Sequence, residues 1–272
     1  MKKKDAPKVA STDDERRRVV SQIRMAHRWR CDFHNAEKGM ILRIRAATRR
    51  LTATAGDTRT QALARAAVLY DELDDPQTDL GRETAKSLAA MLDARDALAG
   101  VRKLHQRAMV GLAQELPACE WFTSVPGCGA LGLAQIVGEA GDLADYATVA
   151  RLWKRMGVGL VDGQRQRRVA GTTKELKALG IAMGYCPRRR SVLFCLGDSM
   201  IKKQGEYREL YLARKQYEVA TAEAAGLIVV PAAAIPKGHT GEYRSEGHVH
   251  NRARRYMEKR MLRDLWRAWR DV

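Results

Sequence analysis

The sequence predicts a mostly α-helical protein: long, coiled-coil-like N-terminal helices followed by a helical domain that contains a helix-hairpin-helix. Three observations predict it. Alanine, leucine, arginine and glutamate are abundant, while aromatic residues make up only 6% of the chain, a composition rich in strong helix formers. Apolar residues recur at spacings of three, four and seven over long stretches, the period of one helix face. No strand-rich alternation of the βαβ kind is visible anywhere.

The elements follow in order. Residues 1–11 are a basic, proline-containing tail, expected to be disordered. Ser11-Thr12-Asp13-Asp14-Glu15 supplies N-cap candidates and acids for a first helical turn. From about 13 to 53, Val19, Ile23, Ala26, Phe33, Met40, Ile44, Ala47 and Leu51 mark one long amphipathic helix, with Arg30 and Glu37 interrupting its seam. Gly56-Asp57 breaks it, and a second helix over 59–73 ends at Asp74-Asp75-Pro76. A third is expected over 81–116, carrying Leu88, Leu92, Leu98, Val101, Ala108 and Leu112. Helices this long pair into a coiled-coil-like antenna, in one chain or across a dimer, or else join a plain bundle. Residues 12–116 are therefore read as one region, through which a homo-oligomer is expected.

A second domain spans 117–272. It holds a turn at 126–129, a helix over 130–139 and another over 147–156. Residues 157–186 are glycine-rich and read as loop. Helices over 188–203 and 206–225 follow, then an irregular connection over 226–247 containing Pro231, Pro236, Gly238 and Gly241. The last helix, 248–271, places Val249, Ala253, Met257, Met261, Leu265 and Trp269 in steps of four, joined by Leu262 and Trp266. That stripe is a core-facing seam.

Charge narrows the function. Among 272 residues, 49 Lys and Arg stand against 32 Asp and Glu, a net charge of +17. Such a field attracts polyanions and accelerates their encounter. No apolar run approaches the roughly 20 residues that cross a bilayer, so no membrane partner is expected. Met1-Lys2-Lys3-Lys4 is followed by no apolar stretch and does not read as a signal peptide. Cys31, Cys119, Cys128, Cys186 and Cys195 are scattered with no Cys-x-x-Cys pair. They read as free thiols in a reducing cytoplasm.

The most specific motif is Val125-Pro126-Gly127-Cys128-Gly129, running straight into Ala130 and Leu131 of a helix. Glycines permit positive φ in a tight turn. The turn presents the free N–H groups of the next helix at one spot, where the helix dipole also favours an anion. In a chain this basic, the anion is a nucleic-acid phosphate, and Pro126 to Leu131 are its expected contacts. The alternative is a plain turn between two helices.

Arginines cluster twice nearby. Arg165, Arg167 and Arg168 lie in a glycine-flanked loop, and Arg188, Arg189 and Arg190 follow Pro187 at a helix start. Cations at a helix N-terminus oppose the dipole, so their clustering costs stability unless an anion sits among them. Both clusters, with Lys202 and Lys203, are expected to hold DNA phosphates. A solvated charged face is the bland alternative.

Candidate catalytic groups are Ser191, next to the arginine triplet, and Ser199, eight residues on. A serine aimed at phosphate among arginines is what phosphoryl transfer by a serine nucleophile needs. His248-x-His250 resembles half a metal site, with Cys186 or Cys195 as partners, but residues two apart do not share a helix face. Asp142, Asp145, Asp162, Asp198 and Asp264 stand isolated where a metal-dependent nuclease would need converging carboxylates. Neither metal nor cofactor is expected.

From about 85 to 270 the chain resembles the C-terminal domain of the insertion-sequence transposases related to the Piv invertase, the bridge-RNA-guided recombinase family. The resemblance rests on a long helix before Ser124-Val125-Pro126-Gly127-Cys128-Gly129. Behind the hairpin come Ile136-Val137-Gly138-Glu139-Ala140-Gly141-Asp142, then Leu152-Trp153-Lys154-Arg155-Met156-Gly157 and Val169-Ala170-Gly171, and finally two closing helices. It implies DNA binding in transposition or recombination. Two departures stand out. The family carries an N-terminal nuclease domain with an Asp-Glu-Asp-Asp tetrad on a mixed sheet, whereas residues 1–80 here read as helical. The family's implied nucleophile lies in a Ser-Gly pair, and the matching pair here is Ala170-Gly171, which cannot form a covalent adduct. The expectation is a transposase-like DNA-binding protein lacking the complete active site. The alternatives are a recombinase using a displaced serine or a separate nuclease subunit, and a partner of structured RNA.

Overall fold

The computed structural model describes residues 12–236, 238, 239 and 241–271. The tail expected over residues 1–11 lies outside them. The protein is mostly helical, 72% helix against 4% strand. It divides into two compact units. One joins the residues up to Arg24 with Met109 onward, and the other is Met25–Ala108. The division thus falls at 108/109, where 116/117 was expected, and the start of the first helix belongs with the C-terminal unit.

In the Met25–Ala108 unit, helix α1 (Asp13–Thr52) continues past Arg24 and α2 (Arg59–Glu72) follows. Thr58 and Gln61 cap α2 reciprocally, each side chain bonding the other's backbone N–H. The single helix expected over 81–116 is two, α3 (Asp79–Ser87) and α4 (Ala89–Ala113), offset at Leu88 with φ −103° and ψ 7°. Neither glycine nor proline marks this step, so periodicity carries across it unbroken. Helices α1 and α4 pair antiparallel: Glu37 accepts from Arg102, and Trp29 and Phe33 meet His105 at ring centroid distances of 5.1 and 5.8 Å. Arg45 lies over the Tyr70 ring at 4.7 Å and ties α1 to α2. The antenna-like pairing is made within one chain.

The C-terminal unit is built on α11 (Glu246–Ala268), which packs against α10 (Glu206–Ala224), α9 (Pro187–Lys202) and α7 (Val149–Arg155). Val249, Ala253, Met257, Met261, Leu262 and Leu265 are buried along its seam, with Trp269 just past its end. Trp269 Nε1 donates to Asp142, whose other oxygen accepts from Arg16 Nε at 3.0 Å, and Trp266 Nε1 donates to the Tyr146 carbonyl. These polar links orient two large rings that hydrophobic packing alone would leave free to turn.

Two stretches read as irregular contain short elements. Within 157–186, β1 (Leu160–Val161) and β2 (Gln164–Arg165) form a hairpin, and α8 (Lys174–Met183) follows. Asp162 and Gly163 both adopt positive φ, 49° and 72°, as a two-residue hairpin turn requires. Strands of two residues show no alternation, and α8 buries only Met183, so neither leaves a periodic trace. Within 226–247, β3 (Ile228–Val230) pairs in parallel with β4 (Tyr243–Ser245).

Candidate nucleic-acid interface

The expected hairpin forms between α5 (Cys119–Ser124) and α6 (Ala130–Ala140). Gly127 has φ 89°, and a Cβ there would lie 2.7 Å from the Met200 Cα. Both facts demand glycine. The Cys128 N–H closes the turn on the Val125 carbonyl at 2.9 Å, and burial pushes the Cys128 thiol up to about 12, which keeps it protonated and unreactive. Gly129, the N-cap of α6, brings no side-chain cap. The turn therefore leaves the first N–H groups of α6, at Ala130 and Leu131, without a side-chain acceptor.

The hairpin docks on the C-terminal end of α9, at Ser199 and Met200, and Pro126 packs on Gly205 just beyond. Lys202 and Lys203 therefore stand beside it. Lys202 pairs with Asp198 at 2.7 Å, and Lys203 is exposed. The hairpin and these two lysines form one patch. The arginine triplet occupies the other end of α9, roughly 20 Å away for a helix of this length.

Carboxylates stand among the triplet. Arg188 and Arg189 both engage Glu139, whose side chain is only 1% exposed, and Arg190 pairs with the fully buried Glu258 at 2.8 Å. Arg254 flanks Glu258 at 3.7 Å and stacks on Phe194. Burial pushes the Glu258 carboxyl up to about 7, against the pull of Arg190 and Arg254. The dipole conflict read from the sequence is thus met inside the fold.

Arg165, Arg167 and Arg168 behave differently. Gln166 is buried and pins the β1–β2 hairpin: its amide donates to the Lys154 and Met183 carbonyls and its oxygen accepts from the Gly159 N–H. The flanking arginines are thereby turned outward and exposed, and among the described residues none of the three has a carboxylate partner. They line a compartment of about 180 Å³ with Gly157, Tyr185, Arg190 and Arg255. A wider one of about 670 Å³ shares Arg165 and Arg255 and adds Arg214, Glu218, His248, Arg252, Tyr256 and Lys259 among its walls.

This basin is crowded with positive charge. Arg255 is pushed down to about 10 by burial and by Arg165 and Arg190. Lys259 is lowered by burial and by Arg255, and His248 by burial and by Arg244, Arg252 and Arg165. Arg214 and Arg252 are offset by the buried Glu218. Arg255 has no carboxylate within ion-pair distance among the described residues, and Lys259 only the Trp153 ring, at 4.8 Å. Sequence reading missed Arg252, Arg255 and Lys259. Their spacing of three and then four puts them on one face of α11, but the apolar stripe drew attention to the opposite side.

Ser191 and Ser199 are both exposed on α9, and among the described residues no histidine or carboxylate is hydrogen-bonded to either hydroxyl. His248 faces the basin, whereas His250 Nδ1 meets the Tyr211 hydroxyl at 2.8 Å. The two imidazoles do not converge. Ala170 is exposed and Gly171 packs against Leu176. Among the described residues, no helix is long and apolar enough to cross a membrane. Comparisons with models of known protein families, with curated proteins and with solved structures found no match.

Proposed function

We propose that this chain is a transposase-like DNA-binding protein that grips the phosphate backbone without reading bases. The observation that carries the reading is the basin on the C-terminal unit, where Arg165, Arg167, Arg168, Arg255 and Lys259 lack carboxylate partners among the described residues. Mutually repelling cations, with Arg255 and Lys259 partly desolvated, raise the energy of the free protein. An anion placed among them relieves that cost and releases its own counterions. The uncapped start of α6 beside Lys202 and Lys203 is a second place for a phosphate on the same unit. Resemblance of the hairpin region to the transposases supplies the process, transposition or recombination. Among the described residues no general base is hydrogen-bonded to Ser191 or Ser199, so the reading is of binding and positioning, with strand chemistry left to a partner.

Duplex binding measured across a salt series tests it. Affinity should fall with a log–log slope of about −0.9 per phosphate held, to a similar degree on unrelated sequences. Affinity that stays flat with salt overturns the proposal. Displacement of the duplex by equimolar structured RNA would reassign the basin to RNA.

A further inference from the structure

The basin has two parts of unequal size, and its smaller part is more specialised than a backbone track requires. A phosphodiester carries one negative charge and needs one or two guanidinium forks. Around about 180 Å³ stand Arg165, Arg167, Arg168, Arg190 and Arg255, with Tyr185 beside them. The neighbouring carboxylate, Glu258, is already engaged by Arg190 and Arg254. The space suits a phosphate group wrapped by guanidinium N–H groups, not a sugar and base. The backbone that carries Arg165, Arg167 and Arg168 is held in place, because both amide hydrogens and the oxygen of Gln166 are committed to backbone partners. Arg165 and Arg255 are shared with the wider compartment, so an anion seated in the small one has an open exit toward His248 and Lys259.

We propose that the small arginine-walled compartment takes a terminal phosphomonoester of a DNA strand, whose following nucleotides leave through the wider compartment. A terminal phosphate carries about −1.5 to −2 charges and three free oxygens, against one charge and two free oxygens in a diester. Each added oxygen is an acceptor for another charge-assisted bond from the arginine forks. The inference rests on the DNA-binding reading and assigns part of that site to strand ends.

The test uses the full chain and duplexes of one sequence with one overhang, ending in 5′-hydroxyl, 5′-phosphate or 3′-phosphate, followed by fluorescence anisotropy. One phosphorylated end should bind about tenfold tighter than the hydroxyl end, the effect of one charge-assisted hydrogen bond. Arg168→Ala, at an exposed position that leaves no carboxylate unpaired, should remove that preference, and so should Arg255→Ala. Equal binding of all three duplexes overturns the inference while leaving backbone binding intact. Failure of every duplex to bind overturns the DNA reading itself. A preference that survives both substitutions places the end elsewhere and overturns the assignment. A mononucleotide that competes as strongly as the phosphorylated strand shows a free small ligand, and overturns the strand end.

Discussion

Two kinds of arginine line the same basin, and alanine should separate them. Among the described residues Arg165, Arg167 and Arg168 have no carboxylate partner, so replacing all three orphans no carboxylate there. Exposed substitutions of this kind stay within about 0.5 kcal/mol each, and the melting temperature should move by no more than about 5 °C. If each arginine holds one phosphate, the salt slope drops by about 2.7, and at 0.1 M salt binding weakens by up to about 500-fold. Arg190 is the opposite case. Its loss leaves Glu258, at 0% exposure, facing Arg254 alone at 3.7 Å. Stripping the closer partner from a buried carboxylate costs about 3 kcal/mol, a fall of about 6–12 °C for a unit of this size. Salt-series anisotropy and a thermal melt on the triple variant and on Arg190→Ala read both quantities. A triple variant with an unchanged slope would refute the reasoning, and so would an Arg190→Ala protein that melts like the wild type.

Other expectations follow from the same contacts. Gly127→Ala combines a φ of 89° with a Cβ 2.7 Å from Met200 Cα, and should lose at least about 1–2 kcal/mol in urea unfolding; an unchanged midpoint would mean that the hairpin does not dock on α9. Because burial raises Glu258 to about 7 when folded, above its unfolded value, the folded state binds the extra proton between roughly pH 4.5 and 7. Stability should therefore decline as pH rises through that window, and Glu258→Gln should flatten the decline; identical pH profiles for the two proteins would argue against a raised carboxyl. In the Met25–Ala108 unit, Leu42 and Leu63, 57% and 44% exposed, line one compartment with Ala46, Ala66 and Ala67, an apolar surface of the kind a second copy can cover. Light scattering should give the molar mass of a dimer, and a monomer at micromolar concentration would remove the oligomer expectation.

Much of the helical framework was legible because its determinants are local and periodic. The α1 boundary, the Pro187 start of α9 and the stripe on α11 each leave a pattern that one helix turn suffices to display. The step at Leu88 and the β1–β2 hairpin escaped, since a one-residue offset and two-residue strands are shorter than any period. The site was legible only in part. Sequence marked the six arginines, but which of them carry an internal counter-charge depends on Glu139 and Glu258, distant in the chain.

Composition and periodicity alone therefore determined a helical, strongly basic chain with a glycine turn leading into a helix. Only the tertiary structure decided which cations remain without carboxylate partners. It seated the carboxylates of Glu139 and Glu258 against Arg188, Arg189 and Arg190, and set Arg255 and Lys259 of α11 around the same compartment as Arg165 of β2, far away in sequence. The reason is physical: a charge's sign is a property of its residue, whereas its cost and its partner are properties of the space around it.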